Sequence, residues 1–137
     1  MPKIRRVLET AVYVADLERA LRFYGDLLGL EPLFGNERVI ALDAGRETVL
    51  LLFVQGRSKE GVSSGAGRIP PHDGSGPAHF ALAIDAEELE AWRERLTEQG
   101  VEIESEVHWS RGGISLYIRD PDGHSVELAT PGVWPTY

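Results

Sequence analysis

Two stretches of this chain alternate apolar and polar side chains with the period of a β-strand, and each runs into a helical pattern that stops at a glycine. They are Leu8-Glu9-Thr10-Ala11-Val12-Tyr13-Val14 and Ala78-His79-Phe80-Ala81-Leu82-Ala83-Ile84. Behind the first, Asp16 suits an N-cap, Leu17, Ala20, Leu21, Tyr24 and Leu28 recur at helical spacing, and Gly29 supplies the left-handed stop. Behind the second, Asp85 with Glu88 three residues on has the pattern of a capping box. Leu89, Trp92 and Leu96 make the apolar stripe, and Gly100 ends it. Glu9 and His79 lie 79 − 9 = 70 residues apart and the two glycines 100 − 29 = 71, so the spacing drifts by one residue across the repeat. Such self-similarity predicts an internal duplication.

Each helix is followed by three strand patterns. In the first module, about 7–55, these are Glu31 to Phe34, Arg38 to Leu42 and Thr48 to Val54, with turns at Gly35-Asn36 and Ala44-Gly45. In the second, about 78–130, they are Glu102 to His108, Ile114 to Arg119 and Ser125 to Ala129. Gly112-Gly113 and Asp120-Pro121-Asp122-Gly123 are its hairpin turns. Residues 56–77 between the modules are rich in Gly, Ser and Pro and read as a structureless stretch, either a plain linker or a loop over a site.

Strand parity assigns faces. Glu9, Ala11 and Tyr13 share one side, as do His79, Ala81 and Ala83, and as do Ser125, Glu127 and Ala129. The opposite sides, Val12 and Val14, Leu82 and Ile84, Val126 and Leu128, are apolar and suit cover by the two helices. Glu9, His79 and Glu127 are metal-type ligands at matching places, on faces floored by small residues that leave room for a ligand.

Composition narrows the class. A chain of 137 residues with 42% hydrophobic content can form one domain with a core that needs no staple, so a metal here is expected to be functional. The absence of cysteine removes disulfides and thiolate zinc sites and fits a reducing, cytoplasmic setting. No apolar signal core follows the basic Met1 to Arg6, and no apolar run reaches membrane-spanning length, so secretion and membrane insertion are not expected. A formal charge of −8 disfavours nucleic acid as a partner.

The opening stretch Leu8 to Ala20, with Phe23-Tyr24 and Leu28-Gly29-Leu30, and the closing stretch Asp120-Pro121-Asp122-Gly123-His124-Ser125-Val126-Glu127-Leu128 resemble the vicinal oxygen chelate superfamily. That superfamily includes glyoxalase I, extradiol dioxygenases, fosfomycin-resistance enzymes, methylmalonyl-CoA epimerase and bleomycin-resistance proteins. The resemblance spans nearly the whole chain. It implies an α+β fold of two βαβββ modules whose curved mixed sheet surrounds a central cavity, generally in a homodimer. It also implies Glu9, His79 and Glu127 as ligands of one divalent metal ion, Fe²⁺, Mn²⁺, Ni²⁺ or Zn²⁺. Glyoxalase I takes a fourth ligand from the last strand of the first module, which here falls at Leu50 or Leu51. Three protein ligands leave about three positions on an octahedral ion for a substrate that chelates through two oxygens.

Further candidates follow from spacing. Tyr117 and His108 precede Glu127 by 10 and 19 residues, resembling the acid/base tyrosine and histidine of extradiol enzymes, whereas Glu9 departs from their two-histidine, one-carboxylate set. Glu9 or Glu127 is a candidate base, Tyr117 a donor to substrate oxygen, and His72 and Trp109 candidate substrate contacts. His124, in a turn, reads as structural or exposed. The expected function is a metal-dependent lyase or isomerase of glyoxalase type, or a ring-cleaving dioxygenase, on a small vicinal-oxygen substrate. The alternatives are a metal-free drug- or metabolite-binding protein of bleomycin-resistance type, and fosfomycin-type addition to an epoxide, for which no Lys/Arg cluster is evident.

Overall fold

The computed structural model describes residues 1–137. The chain forms two compact units, Met1–Ser75 and Gly76–Tyr137. No helix is long and apolar enough to cross a membrane.

In the first unit, β1 (Glu9–Val14) leads into α1 (Leu17–Leu21), which continues as a π-helical stretch over Arg22–Leu27. Strands β2 (Pro32–Gly35), β3 (Val39–Asp43) and β4 (Val49–Val54) follow. The sheet order is β1-β4-β3-β2, with β1 parallel to β4 and the other pairs antiparallel. In the second unit, β7 (His79–Ala83) is followed by a 3₁₀ turn (Ala86–Glu88), α2 (Leu89–Glu98), β8 (Ser105–His108), β9 (Ile114–Arg119) and β10 (Ser125–Ala129). Its order, β7-β10-β9-β8 with β7 parallel to β10, reproduces the first. The fold is α+β and built from a repeat.

Parity holds along the strands. Val12, Val14, Leu50, Leu52 and Leu42 are buried, and so are Ala20, Phe23, Tyr24 and Leu27 of the helical segment, which packs on β3 and β4. In the second unit Leu116, Ile118, Val126 and Leu128 are buried together with Leu89 and Leu96 of α2. Arg93 of α2 donates to both carboxylate oxygens of Glu106, at 3.2 and 2.6 Å. Glu106 faces Leu116 across the β8–β9 ladder, so α2 covers the Leu116 side of the sheet. His124 is buried and its Nδ1 accepts the Ala78 amide at 2.8 Å, which pins the start of β7.

Four local expectations change. The first helix is one continuous segment but not one α-helix: Leu28 N–H reaches back five residues to Phe23 O at 3.1 Å, a widened turn. Asp16 caps it as expected, accepting from Arg19 N–H at 2.7 Å. Asp85 makes no side-chain capping bond, because the 3₁₀ turn over Ala86–Glu88 precedes α2 and leaves Glu88 as its N-cap. Only Ser105–His108 of the expected Glu102 to His108 strand pairs as a strand. Residues 56–77 are not structureless, since β5 (Val62–Ser64) and β6 (Gly67–Ile69) form a hairpin there.

Leu96 has no exposed surface, so Leu96→Ala is expected to cost about 2–5 kcal/mol in urea unfolding. The Arg93 hydrogen bond holds the Glu106 carboxyl below its ordinary value of 4.5. A lowered carboxyl stabilises the fold fully above that value, and the contribution disappears as pH falls through the lowered one. Arg93→Met should therefore lower stability near neutrality by about 0.5–1 kcal/mol, and the gap from wild type in thermal unfolding should close below pH 4.5.

Candidate functional site

Two strand ladders assemble the polar face of the second unit. Glu127 on β10 lies between Ala81 of β7 and Tyr117 of β9. Only 5% of Glu127 is exposed, so its carboxylate depends on partners to replace water. Ser115 Oγ donates to Glu127 Oε1 and accepts from Trp109 Nε1–H at 2.8 Å. His79 opens β7 with Nδ1 3.0 Å from Ser125 O. A carbonyl only accepts, so Nδ1 carries the proton of that bond and Nε2 is the ring nitrogen left for a further partner. Nε2 stands 3.4 Å from Glu127 Oε2.

The Tyr117 ring lies stacked beside His79, with centroids 6.1 Å apart and planes at 27°. Burial pushes the Tyr117 phenol up, as do the charge of Glu127 and a hydrogen bond to it, and the Ser115 bond opposes them. The phenol is therefore a proton donor at neutral pH.

The His79–Glu127 pair has the chemistry of half a metal site. A ligating imidazole that gives its other N–H to a backbone carbonyl is the usual outer support of a bound ion. Two donors each roughly 2.1 Å from a shared ion stand roughly 3.0 Å apart at a right angle and roughly 3.4 Å apart at the tetrahedral angle. The separation of 3.4 Å fits. Neither unit by itself gathers three His, Asp or Glu side chains able to hold an ion.

In the first unit, Glu9 is exposed at the start of β1 and pairs in register with Val49, as His79 does with Ser125. Counting two residues on from each partner makes Leu51 the counterpart of Glu127, which resolves the choice between Leu50 and Leu51. Ala41 and Val39 similarly correspond to Tyr117 and Ser115. The first repeat thus carries apolar residues where the second carries its polar cluster.

His72 is fixed against this first sheet. Its Nδ1 shares a 2.7 Å hydrogen bond with Tyr13 Oη, its ring meets Phe53 edge-on at 4.5 Å, and its N–H donates to Ser58 O at 3.0 Å. Arg38 lies over Phe53 at 5.5 Å and donates to the buried Ser58 Oγ at 2.8 Å. Gly74 lies against the Tyr13 ring so closely that an added Cβ would sit 2.5 Å from Cδ2. Burial raises the Tyr13 phenol and the Asp73 charge adds to it, while the Gly56 amide leads the groups holding Asp73 low.

His108 is elsewhere. It pairs with Ile114, on the side of β9 that carries Leu116 and not Tyr117, and its Nε2 lies 2.9 Å from Glu106 Oε1. The structure therefore separates His108 from Glu127 and Tyr117 by the thickness of the sheet. Ser115, to which spacing assigned no role, takes a central place. Its parity with Tyr117 is the only sequence signal that pointed to it.

The Glyoxalase/Bleomycin resistance protein/Dioxygenase superfamily profile matches residues 6–128. The chain belongs to this superfamily. Among relatives, the catechol-2,3-dioxygenase of Bacillus subtilis (strain 168) is 32% identical over 116 residues, 84% of this chain, and the chain spans 38% of that protein's length. The glutathione transferase FosA of Serratia marcescens is 30% identical over 118 residues, 84% of this chain and 73% of that protein. A crystal structure of lactoylglutathione lyase from Agrobacterium tumefaciens superposes with a TM-score of 0.88 at 32% identity, covering 98% of this chain and 99% of that one. These names span several reactions on one fold, so the reaction has to be argued from the site.

If Gly74 marks a docked loop, Gly74→Ala should loosen it. Trypsin is expected to cut at Arg57, Lys59 or Arg68 several-fold faster than in wild type, read by mass spectrometry, with β-strand circular dichroism unchanged.

Proposed function

We propose that this protein is a divalent-metal-dependent lyase or isomerase acting on a small compound with two adjacent oxygens. The observation that carries the reading is His79 Nε2 standing 3.4 Å from Glu127 Oε2, with Nδ1 engaged by Ser125 O. Both groups point electron pairs toward one place, which favours a cation there. Glu9 is proposed as the third ligand on its register equivalence to His79 alone. Two carboxylates and one neutral imidazole balance a divalent ion, with Mn²⁺, Ni²⁺, Fe²⁺ or Zn²⁺ as candidates. A homodimer and a cytoplasmic location belong to the same proposal.

When bound, the ion would supply Lewis-acid polarisation of a substrate carbonyl or enolate oxygen. The chain's own groups do the rest. Tyr117, held protonated, would turn to a substrate oxygen the one proton it otherwise gives Glu127. Glu127 serves as a resident ligand because Ser115 occupies its Oε1. Glu9, exposed, is the carboxylate with freedom to take a proton from carbon.

The lyase or isomerase reading is preferred to ring cleavage because Glu9 replaces a histidine and His108 faces away from Tyr117. A metal-free binding protein is the second reading. It is favoured by one feature: a protonated His79 would close with Glu127 as a simple ion pair.

Elemental analysis after anaerobic reconstitution with Fe²⁺, Mn²⁺, Ni²⁺ and Zn²⁺ tests the choice. Near-stoichiometric metal is expected in wild type, with loss of most of it in His79→Ala and Glu127→Ala. A strong preference for Fe²⁺ with oxygen sensitivity would move the assignment to a dioxygenase. Failure to retain any metal would leave the binding protein. For Tyr117→Phe, kcat is expected to fall about 10²-fold with metal content unchanged.

A further inference from the structure

Resting on the proposed metal site, we infer that Ser115 and Trp109 are positioning residues that set the carboxylate of Glu127 for metal. The direction of the relay follows from the donor inventory. An indole N–H can only donate, so Ser115 Oγ accepts from Trp109 Nε1 at 2.8 Å and turns its own hydrogen to Glu127 Oε1. An ionised carboxylate only accepts, which sets that sense for the Trp109–Ser115–Glu127 chain, and the Tyr117 phenol meets Glu127 and Ser115 beside it. Oε1 is thereby occupied, and Oε2 is the oxygen presented toward His79 Nε2.

Both ends of the relay are anchored. Ser115 has no exposed surface, and its strand neighbour across the ladder is Ala129. Trp109 sits at a tight turn, where its N–H donates to Gly113 O at 2.8 Å and its carbonyl accepts from Gly112 N–H at 2.9 Å. Gly113 in turn abuts the C-terminal segment, since an added Cβ would lie 2.5 Å from Gly132 C. The backbone from which the indole projects is therefore held by that turn. Because Trp109 is 39% exposed, burial alone does not oblige its indole to take part.

The internal repeat provides an independent control. Strand order and the register of the matching central strands are the same in both units, yet the positions matching Ser115 and Glu127 are Val39 and Leu51. The fold itself therefore does not need a hydroxyl there. The hydroxyl occurs in the repeat that has the buried carboxylate, as expected of a group that supports a ligand.

The test measures metal affinity of the full chain, stripped of metal and titrated with Mn²⁺, Zn²⁺, Ni²⁺ and anaerobic Fe²⁺ against a competing chelator. Ser115→Ala is expected to weaken binding about 10–100-fold at unchanged stoichiometry, and Trp109→Phe to weaken it less. In a Trp92→Phe/Trp134→Phe background, metal should change the Trp109 emission, and Ser115→Ala should abolish that response. Thermal unfolding of the metal-free variants separates positioning from general loss of structure, because a merely structural role would lower the melting temperature without an affinity change. If Ser115→Ala does not fold, Trp109→Phe decides by the same comparison. Wild type that binds metal while the folded variants bind as tightly overturns the inference and leaves the metal site standing. Wild type that binds none of Mn²⁺, Zn²⁺, Ni²⁺ and anaerobic Fe²⁺ in the same titration overturns both.

Discussion

The parallel pairing of the first and last strands in each repeat is the constraint on which the candidate chemistry depends. A parallel pair needs a long connection, and here the helix and two further strands supply it, so residues nearly fifty positions apart become neighbours. That ladder sets His79 opposite Ser125, whose carbonyl fixes the imidazole tautomer, and sets Glu127 opposite Ala81, where a small side chain leaves the carboxylate room. A slip of one residue would turn Glu127 into the helix-covered side and bring Val126 or Leu128 out.

Duplication lets the two repeats diverge in chemistry at constant strand order. Both keep an apolar side for the helix. On the other side, the second repeat concentrates His79, Ser115, Tyr117 and Glu127, and the first presents Ala11, Ala41, Leu51 and Phe53 with Glu9 at its edge. Substituting side chains on the side away from the helix leaves the helix-covered hydrophobic burial in place, although Ser115 and Glu127 are buried there and depend on each other for hydrogen bonds. The first unit uses its freedom differently, docking residues 56–75 through His72, Gly74 and Asp73 onto Tyr13 and the Gly56 amide.

Much of this was legible in order along the chain. The repeat, the apolar sides of β1 and β10, and the glycine stops at Gly29 and Gly100 are local signals, and both glycines adopt positive φ, 76° and 68°. His108 was not legible. Its distance of 19 residues from Glu127 crosses two hairpins, and the face it takes depends on how β8 registers against β9. The failed capping box has a similar origin: Asp85 and Glu88 have the right spacing, but a 3₁₀ turn moves the helix start beyond them. The hairpin within 56–77 escaped because its strands are three residues each and polar, too short for periodicity to register.

The sequence by itself determined the element types, their repetition and the two sides of each strand, because side-chain period and capping chemistry act over a few residues. Tertiary structure decided which side chains meet. Only the ladder brings Ser115 to Glu127 and carries His108 to the far side, and only loop docking joins His72 to Tyr13. These contacts rest on hydrogen-bond register between strands distant in sequence, a relation that no local pattern encodes.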